Sequence, residues 1–512
     1  MGFSTIDYIV LLAYLAGITA FGMRFRKSQK SVKDYFVGAR NTPWIVICLS
    51  IVATETSTLT LIGVPALAYG TFARPEMGGT LTYLQVLIGY VVGRFIIARL
   101  FLPSYFRGEL LTAYALLEER FGARTRRVAA ALFLIMRALA EGVRVFAASL
   151  VLSAVLASSF PAIPHLWLWS IAIVGVLTLV YTFEGGIAAV IWTDLIQFVI
   201  YIGGSILAAY QLIHLTPGGW GAIVQAGREA GKLQLLSFTT DLTVPFTFWA
   251  GVIGGTFLTS ASHGTDQLLV QRLLTCRNLR DSQKAIITSG FIVLAQFVLF
   301  LGIGVMLFAY YQHAPRPSIT TNDEIFPAFI VTTLPHGISG LVIAAIFAAA
   351  MSNLSGSLNS LASTTVLDFY NPLTGHRASD KQLLVLSRWC TAAWGVVLIL
   401  IAIVARGWGS VFTAGLTAAS IVYGPMLGAF LLGVLTKRAN TAGVIAGMTI
   451  SAASMLAIWW TTKLAWTWYV LVGTAICFAF GYASSVLFLA MKGRREGAAR
   501  PGEKIQIANP ER

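Results

Sequence analysis

The sequence predicts an all-α polytopic membrane protein of about thirteen transmembrane helices, and three observations predict it. Hydrophobic residues make up 57% of the 512 positions and charged residues only 11%. The apolar runs repeatedly reach the roughly 20 residues that an α-helix needs to cross a bilayer. The Lys and Arg residues, 36 against 21 Asp and Glu, gather in short loops between those runs instead of on one amphipathic face. This pattern excludes a soluble multidomain protein, and it makes the net charge of +15 a matter of topology rather than of affinity for nucleic acid. Four scattered cysteines, Cys48, Cys276, Cys390 and Cys477, show no metal-ligand spacing and are expected as small buried residues.

The first apolar run, near 6–24, is followed rather than preceded by basic residues and carries no small-residue cleavage site, so it is expected as a retained helix and not a signal peptide. Apolar windows of spanning length come next near 44–72, 80–103, 127–157, 163–183 and 187–213, then near 246–273, 284–311, 337–369, 382–406 and 410–435, and finally near 441–461 and 465–491. Basic residues mark alternate loops: Arg24 to Lys27, Arg120 to Arg127, Arg272 to Lys284, Arg377 to Lys381, Lys437-Arg438 and Lys492 to Arg495. The loops around Phe160-Pro161, from Leu215 to Pro245 and from Tyr311 to Pro335 are poorer in them. This bias puts the N-terminus outside a plasma or inner cell membrane and the C-terminus in the cytoplasm, an answer that requires an odd number of spans. The tail 492–512 is short and polar, so 1–512 is expected to form a single membrane transport domain with no appended catalytic or sensor domain.

With the first helix set aside, the next ten divide into two sets of five, 44–213 and 246–435, followed by two C-terminal helices over 441–491. An odd number of helices per repeat makes the halves inverted, and such repeats place binding sites at the bilayer midplane, where the first helix of each half is interrupted. Ala53-Thr54-Glu55-Thr56-Ser57-Thr58-Leu59-Thr60, with Gly63 and Pro65 behind it, is the candidate interruption in the first half. Gly251, Gly254-Gly255 and the Thr259-Ser260-Ala261-Ser262-His263-Gly264 stretch are the candidates in the second.

Hydroxyls and charges inside membrane-length helices cost roughly several kcal/mol unless paired, so their default reading is a substrate or ion pathway. Two segments carry them: Ile346 to Ser355, and Ile191-Trp192-Thr193-Asp194-Leu195-Ile196-Gln197. Together with Glu184-Gly185-Gly186, Gln271-Arg272, the Ala-Ala-Ala-x-Ser-x-x-Ser-x-Ser-x-Asn helix ending at Asn359, and Tyr423-Gly424-Pro425-Met426-Leu427-Gly428 before Lys437-Arg438-Ala439-Asn440, they resemble the sodium:solute symporter family. The resemblance runs from Asp34-Tyr35-Phe36-Val37-Gly38 to the last helices. It implies a leucine-transporter-like inverted-repeat fold and alternating access that couples inward sodium flow to uptake of a small organic solute. Members of the family carry sugars, sialic acids, proline, other carboxylates, vitamins or iodide, so kinship fixes mechanism better than cargo.

Sodium is a hard cation that prefers oxygen ligands. The resemblance supplies backbone carbonyls from Ala53 and Thr56 in the first interruption and from Ala349, with the Ser352 hydroxyl. Asn353 stands where most sodium-dependent relatives have Ser or Thr; its amide oxygen can ligate a cation, its NH2 cannot. A second sodium in some relatives lies among these serines and the acid matching Asp194, but here Ser355 is followed by Gly356, which lacks the second hydroxyl. One sodium per cycle is therefore expected, with Asp194 as a relay, release-path charge or proton acceptor. The alternatives are serines bonded to their own helix and an Asp194 paired structurally with a basic residue.

Arg137, Glu141 and Arg144 fall at spacings of four and three and share one helix face, where three charges are unlikely to meet lipid. An arginine fork suits a carboxylate, which favours an anionic or zwitterionic solute such as a sialic acid, amino acid or monocarboxylate. Glu55 in the first interruption is expected to pair with one arginine and leave the other available; the alternative is a self-neutralised Arg-Glu-Arg cluster that holds helices together. Arg137→Ala is expected to harm carboxylate uptake more than Arg144→Ala. Ser57, Thr58 and Thr60 in the first interruption and Gln85 on the next helix complete the expected substrate set, while His263, Thr265, Asp266 and Gln267 are expected nearer the cytoplasm. Phe248, Trp249, Phe257 and Tyr423 are candidate gates or core. No filter motif, nucleophile with its base, metal motif or phosphate-binding glycine loop is found, which argues against a channel, an enzyme or an ATP-driven pump. The partners expected are the solute, sodium and the lipid bilayer, with no nucleic acid and no obligate protein partner. Proton coupling, sugar transport and a transporter-like solute sensor are the competing readings.

Overall fold

The protein is described from a computed structural model covering residues 3–498 apart from 26–30, 32–34, 37, 39–40, 72–77, 108–109, 160–162, 318, 320–321, 376 and 406–410. Arg26, Lys27, Asp34 and Val37 and the tail from 499 to 512 therefore lie outside the described residues. α1 (Thr5–Met23) precedes a broken span made of α2 (Trp44–Glu55) and α3 (Thr58–Tyr69). α4 (Leu84–Tyr105), α5 (Ala123–Ser159) and α6 (Leu166–Leu215) follow. After α7 (Gly219–Glu229), a π-helical turn (Ala250–Gly254) leads into α8 (Gly255–Gly264), α9 (Gln267–Leu274) and α10 (Leu279–Tyr310). α11 (Ile325–Thr333), α12 (Ile338–Thr364), α13 (Asp380–Ala405), α14 (Val411–Leu435), α15 (Thr441–Thr461) and α16 (Tyr469–Ala498) complete the order.

Among the described residues, eight helices are long and apolar enough to cross a membrane, and the bent pair α2–α3 is a ninth candidate span. α5, which carries Arg137, Glu141 and Arg144, the first arm of α6, and the short helices α8 and α9 stand outside that set. The total of about thirteen expected from the sequence is reached when those segments and α14 also cross. The expected boundary between two helices near residue 185 is a kink within α6 at Gly186, whose φ of 55° and ψ of −156° suit a residue without a side chain.

α12 is buried along almost its whole length and lies at the centre, against the second arm of α6. Its amino end is capped from another helix. The Asp7 carboxylate of α1 accepts the Gly337 and Gly340 backbone N–H groups at 2.7 and 2.9 Å, satisfying donors that a helix start leaves orphaned.

The first interruption falls where the threonine-rich stretch predicts it. α2 and α3 meet at a 63° bend, with Thr56 extended (φ −85°, ψ 101°) and Ser57 extended before α3 (φ −97°, ψ 172°). The Ser57 N–H turns to the Thr60 hydroxyl at 3.3 Å, so the Ala53 carbonyl loses its usual helical donor. The second interruption lies just past the expected stretch, at Thr265 (φ −128°, ψ −11°) and Asp266, whose carboxylate caps α9 by accepting Leu268 N–H at 2.9 Å. Gly251 and Gly255 serve packing instead: a Cβ on Gly255 would stand 2.5 Å from the Val86 carbonyl oxygen of α4.

Candidate functional site

A cavity opens at the first interruption. Glu55, Ser57 and Thr60 line it from α2 and α3, Arg137 and Arg144 from α5, Ser262 and His263 from α8, and Tyr423 from α14. Tyr90 of α4 and Phe297 of α10 supply aromatic walls. His263 thus reaches the cavity despite the expectation that it lies nearer the cytoplasm. Gln85 does not line it. Its amide donates to the Thr82 and Phe246 carbonyls at 3.1 Å each and accepts from Ser237 N–H at 3.0 Å, which clamps the 232–248 connection to α4. Trp249 is 43% exposed on the outer surface and is no gate of this cavity.

Each charge in or beside the cavity has its own partner. Glu55 pairs with Arg94 of α4, and His263 Nε2 lies 3.4 Å from the Glu55 carboxylate. Arg137 pairs with Asp266 and donates to Tyr423 Oη at 3.1 Å, and that hydroxyl itself donates to Asp266 at 2.7 Å. Arg144 Nη1 donates to Glu141 Oε2 and to Asn353 Oδ1, both at 3.2 Å, and Ser357 donates to the same Glu141 oxygen at 2.9 Å. The expected Arg-Glu-Arg cluster is therefore split. Seven residues along a helix separate the two arginines by roughly 10 Å, so Arg137 faces α9 and α14 while Arg144 faces α12. Glu55, expected to pair with one of them, pairs with Arg94, which the sequence reading had not singled out.

On the other side of the interruption, Asp194 of α6 is fully buried. Its Oδ1 accepts from Ser352 Oγ at 2.6 Å, and its Oδ2 accepts from Ser50 Oγ at 2.5 Å, Arg272 Nη2 at 3.0 Å and Thr54 Oγ1 at 3.3 Å. Arg272 also donates to Ser50 Oγ and the Leu268 carbonyl at 3.0 and 2.8 Å. The Arg272 guanidinium lies against Gly356, where an added Cβ would stand 2.5 Å from Nη2. Ser355 donates to the Ser352 carbonyl at 3.0 Å, the back-bonding alternative for that hydroxyl.

Of the remaining expected ion ligands, Asn353 and Thr56 make their contacts at the interruption. Asn353 Nδ2 donates to the Thr54 carbonyl at 2.5 Å, joining α12 to α2 one turn beyond Ala349. The Thr56 hydroxyl donates to Val52 O and receives Gln296 Nε2 of α10 at 2.5 Å, while Tyr201 Oη of α6 donates to it at 3.4 Å. Ser352 spends its proton on Asp194, which leaves its oxygen lone pairs as acceptors. Thr58 Oγ1 is buried without a partner, and Thr58 lines a small pocket together with Ser57, Glu141, Arg144 and Asn353. No three His, Cys, Asp or Glu side chains converge on a transition-metal site among the described residues. Arg94, Gln296 and Tyr201 are site-shaping residues that sequence reading missed. The available signal was one polar residue on an otherwise apolar helix face.

The family model for the sodium:solute symporter family matches residues 35–451. The chain is 31% identical to the sodium/sialic acid symporter SiaT of Proteus mirabilis over 96% of its length and 97% of that protein. It is 30% identical to the sodium/sialic acid symporter NanT of Aliivibrio fischeri over 95% and 94%. Among solved structures it resembles a Na+-coupled sialic acid symporter in a substrate-bound outward-open state, with a TM-score of 0.83 and 30% identity over 94% of this chain and 98% of that one. A helical fold broken at two mid-span positions, a polar cavity at the first break and these matches agree: the chain belongs to the sodium:solute symporter family and is a multi-pass membrane transporter, not an enzyme.

Proposed function

We propose that the protein couples inward sodium flow to uptake of an anionic organic solute, with a sialic acid as the favoured cargo. The observation that carries this reading is that two arginines, Arg137 and Arg144, line a cavity bounded by the same backbone interruption whose Thr54 carbonyl meets Asn353 of α12. A guanidinium fork matches a carboxylate, and hydroxyls from Ser57, Thr60 and Ser262 suit the polyol part of such a solute. The sialic acid symporters of P. mirabilis and A. fischeri, similar over nearly the whole chain, support the same cargo.

The cation's ligands are the carbonyls of Ala53, Thr56 and Ala349, the Ser352 hydroxyl and the Asn353 amide oxygen. Asp194 orients Ser352, and one sodium moves per cycle, because Gly356 brings no hydroxyl and the Arg272 guanidinium already stands beside it as a tethered positive charge. The two halves, 44–213 and 246–435, alternate around this centre, with the N-terminus outside and the C-terminus in the cytoplasm. The test is uptake of labelled N-acetylneuraminate into proteoliposomes, under an inward sodium gradient and under choline with an acidic exterior. Concentrative uptake with sodium alone supports the reading. Uptake driven by acid with choline replaces it by proton coupling, for which Glu55 and His263 offer a titratable pair in the cavity wall.

A further inference from the structure

The Asn353 side chain bridges two groups of opposite hydrogen-bonding character. Its Oδ1 accepts from Arg144, which can only donate, and its Nδ2 donates to the Thr54 carbonyl, which can only accept. Those partners fix which end of the amide is which. The Thr54 carbonyl is available because its helical donor, the Thr58 N–H, lies beyond the bend in α3. A cation held by carbonyls of this interruption needs an oxygen from position 353, not an NH2.

We propose that Asn353 is a coupling switch that sodium turns over, releasing Arg144 to the solute anion. This rests on the sodium reading above. Rotation of the amide by half a turn brings Oδ1 to the cation and sets Nδ2 against the guanidinium, where two donors face each other and the Arg144 contact breaks. The buried, unpartnered Thr58 Oγ1, in the same small pocket, supplies the acceptor that the turned Nδ2 needs. Arg144 suits the role. Its side chain is 23% exposed and lines the cavity, and beyond its Nη1 contacts no hydrogen bond of its Nε or Nη2 is made among the described residues. Arg137 is instead held by Asp266 and Tyr423. Sodium and Arg144 thus compete for one oxygen, and by linkage an anion that draws Arg144 away tightens sodium to the same degree.

Competition predicts a gain of affinity on deleting a positive side chain, which loss of a merely structural contact does not give. Sodium affinity is read from thermal unfolding of the purified protein titrated with sodium against choline at constant ionic strength. Arg144→Gln is expected to tighten sodium about fivefold to tenfold, the worth of one hydrogen bond to the amide. In an Asn353→Ser background the same substitution is expected to change nothing, because the acceptor it frees is gone. Arg144→Gln with Glu141→Gln leaves no buried charge unpaired and gives the same reading where the single variant folds poorly. A native sodium response that Arg144→Gln leaves unchanged or weakens overturns the switch alone, as does equal tightening in both backgrounds. Absence of any sodium response in the native protein overturns the sodium reading and the switch together.

Discussion

Asp194→Asn is the substitution whose cost the structure defines most closely. The carboxylate and the Arg272 guanidinium are both fully buried, and Oδ2 gathers three donors while Oδ1 takes only the Ser352 hydroxyl. The amide nitrogen of the variant therefore goes to the Oδ1 side, where the Ser352 hydroxyl can reverse and accept. The shape survives, and the loss is the charge opposite Arg272. Leaving one member of a buried ion pair uncompensated costs about 3–5 kcal/mol. Arg272 keeps neutral acceptors in Ser50 Oγ and Leu268 O, which points to the lower end of that range. Combining Asp194→Asn with Arg272→Met removes both charges and is expected to lie within about 2 kcal/mol of the native protein, so the cycle is non-additive by about 3 kcal/mol or more. Equilibrium unfolding in mixed micelles measures all four proteins. A single-variant loss below about 1 kcal/mol, or a double variant equal to the sum of the singles, refutes the idea of a water-excluded pair.

Ser352→Ala removes a cation ligand and a donor to Asp194; the protein should still insert, with half-maximal sodium activation raised about tenfold, and unchanged activation sinks the ion-site assignment. Arg144→Ala should abolish uptake of a carboxylate solute, while Arg137→Ala should chiefly destabilise the fold by stranding Asp266, in the reverse order to that expected from helix spacing alone; paired uptake and unfolding measurements of the two variants decide it. Gly356→Ser would add a hydroxyl beside Ser355, yet its Cβ stands 2.5 Å from Arg272 Nη2 and 2.9 Å from Leu268 Cδ1, so a loss of about 1–3 kcal/mol is expected in the unfolding assay, with no second sodium in a flux-ratio measurement.

Much of the fold was legible because membrane helices announce themselves by length and polarity. The apolar windows near 284–311, 382–406 and 441–461 correspond to Leu279–Tyr310, Asp380–Ala405 and Thr441–Thr461. The first interruption was legible because Thr54 to Thr60 combines β-branched and polar residues in mid-span. The second falls at Thr265 and Asp266, at the end of the Thr259 to Gly264 stretch, and its glycines were the weaker signal because glycine has two uses in a membrane. Gly251 and Gly255 admit α4 at close range, and the chain breaks where Asp266 can cap the next helix. For the site, the residue types were readable and their partners were not. Spacing puts Arg137, Glu141 and Arg144 on one face and pairs Glu141 with Arg144, but Arg137 meets Asp266, 129 residues away, and Arg144 also reaches Asn353, 209 residues away. Arg94 and Gln85 show the same limit: one reaches Glu55 and the other a loop, and nothing local distinguishes them.

The most direct test of the central claim, that sodium and an anionic solute bind at sites joined through the first interruption, is binding of labelled N-acetylneuraminate to the purified protein in sodium and in choline. The account predicts binding that sodium strengthens, and strengthens less in Asn353→Ser. Binding of equal strength in the two salts contradicts it.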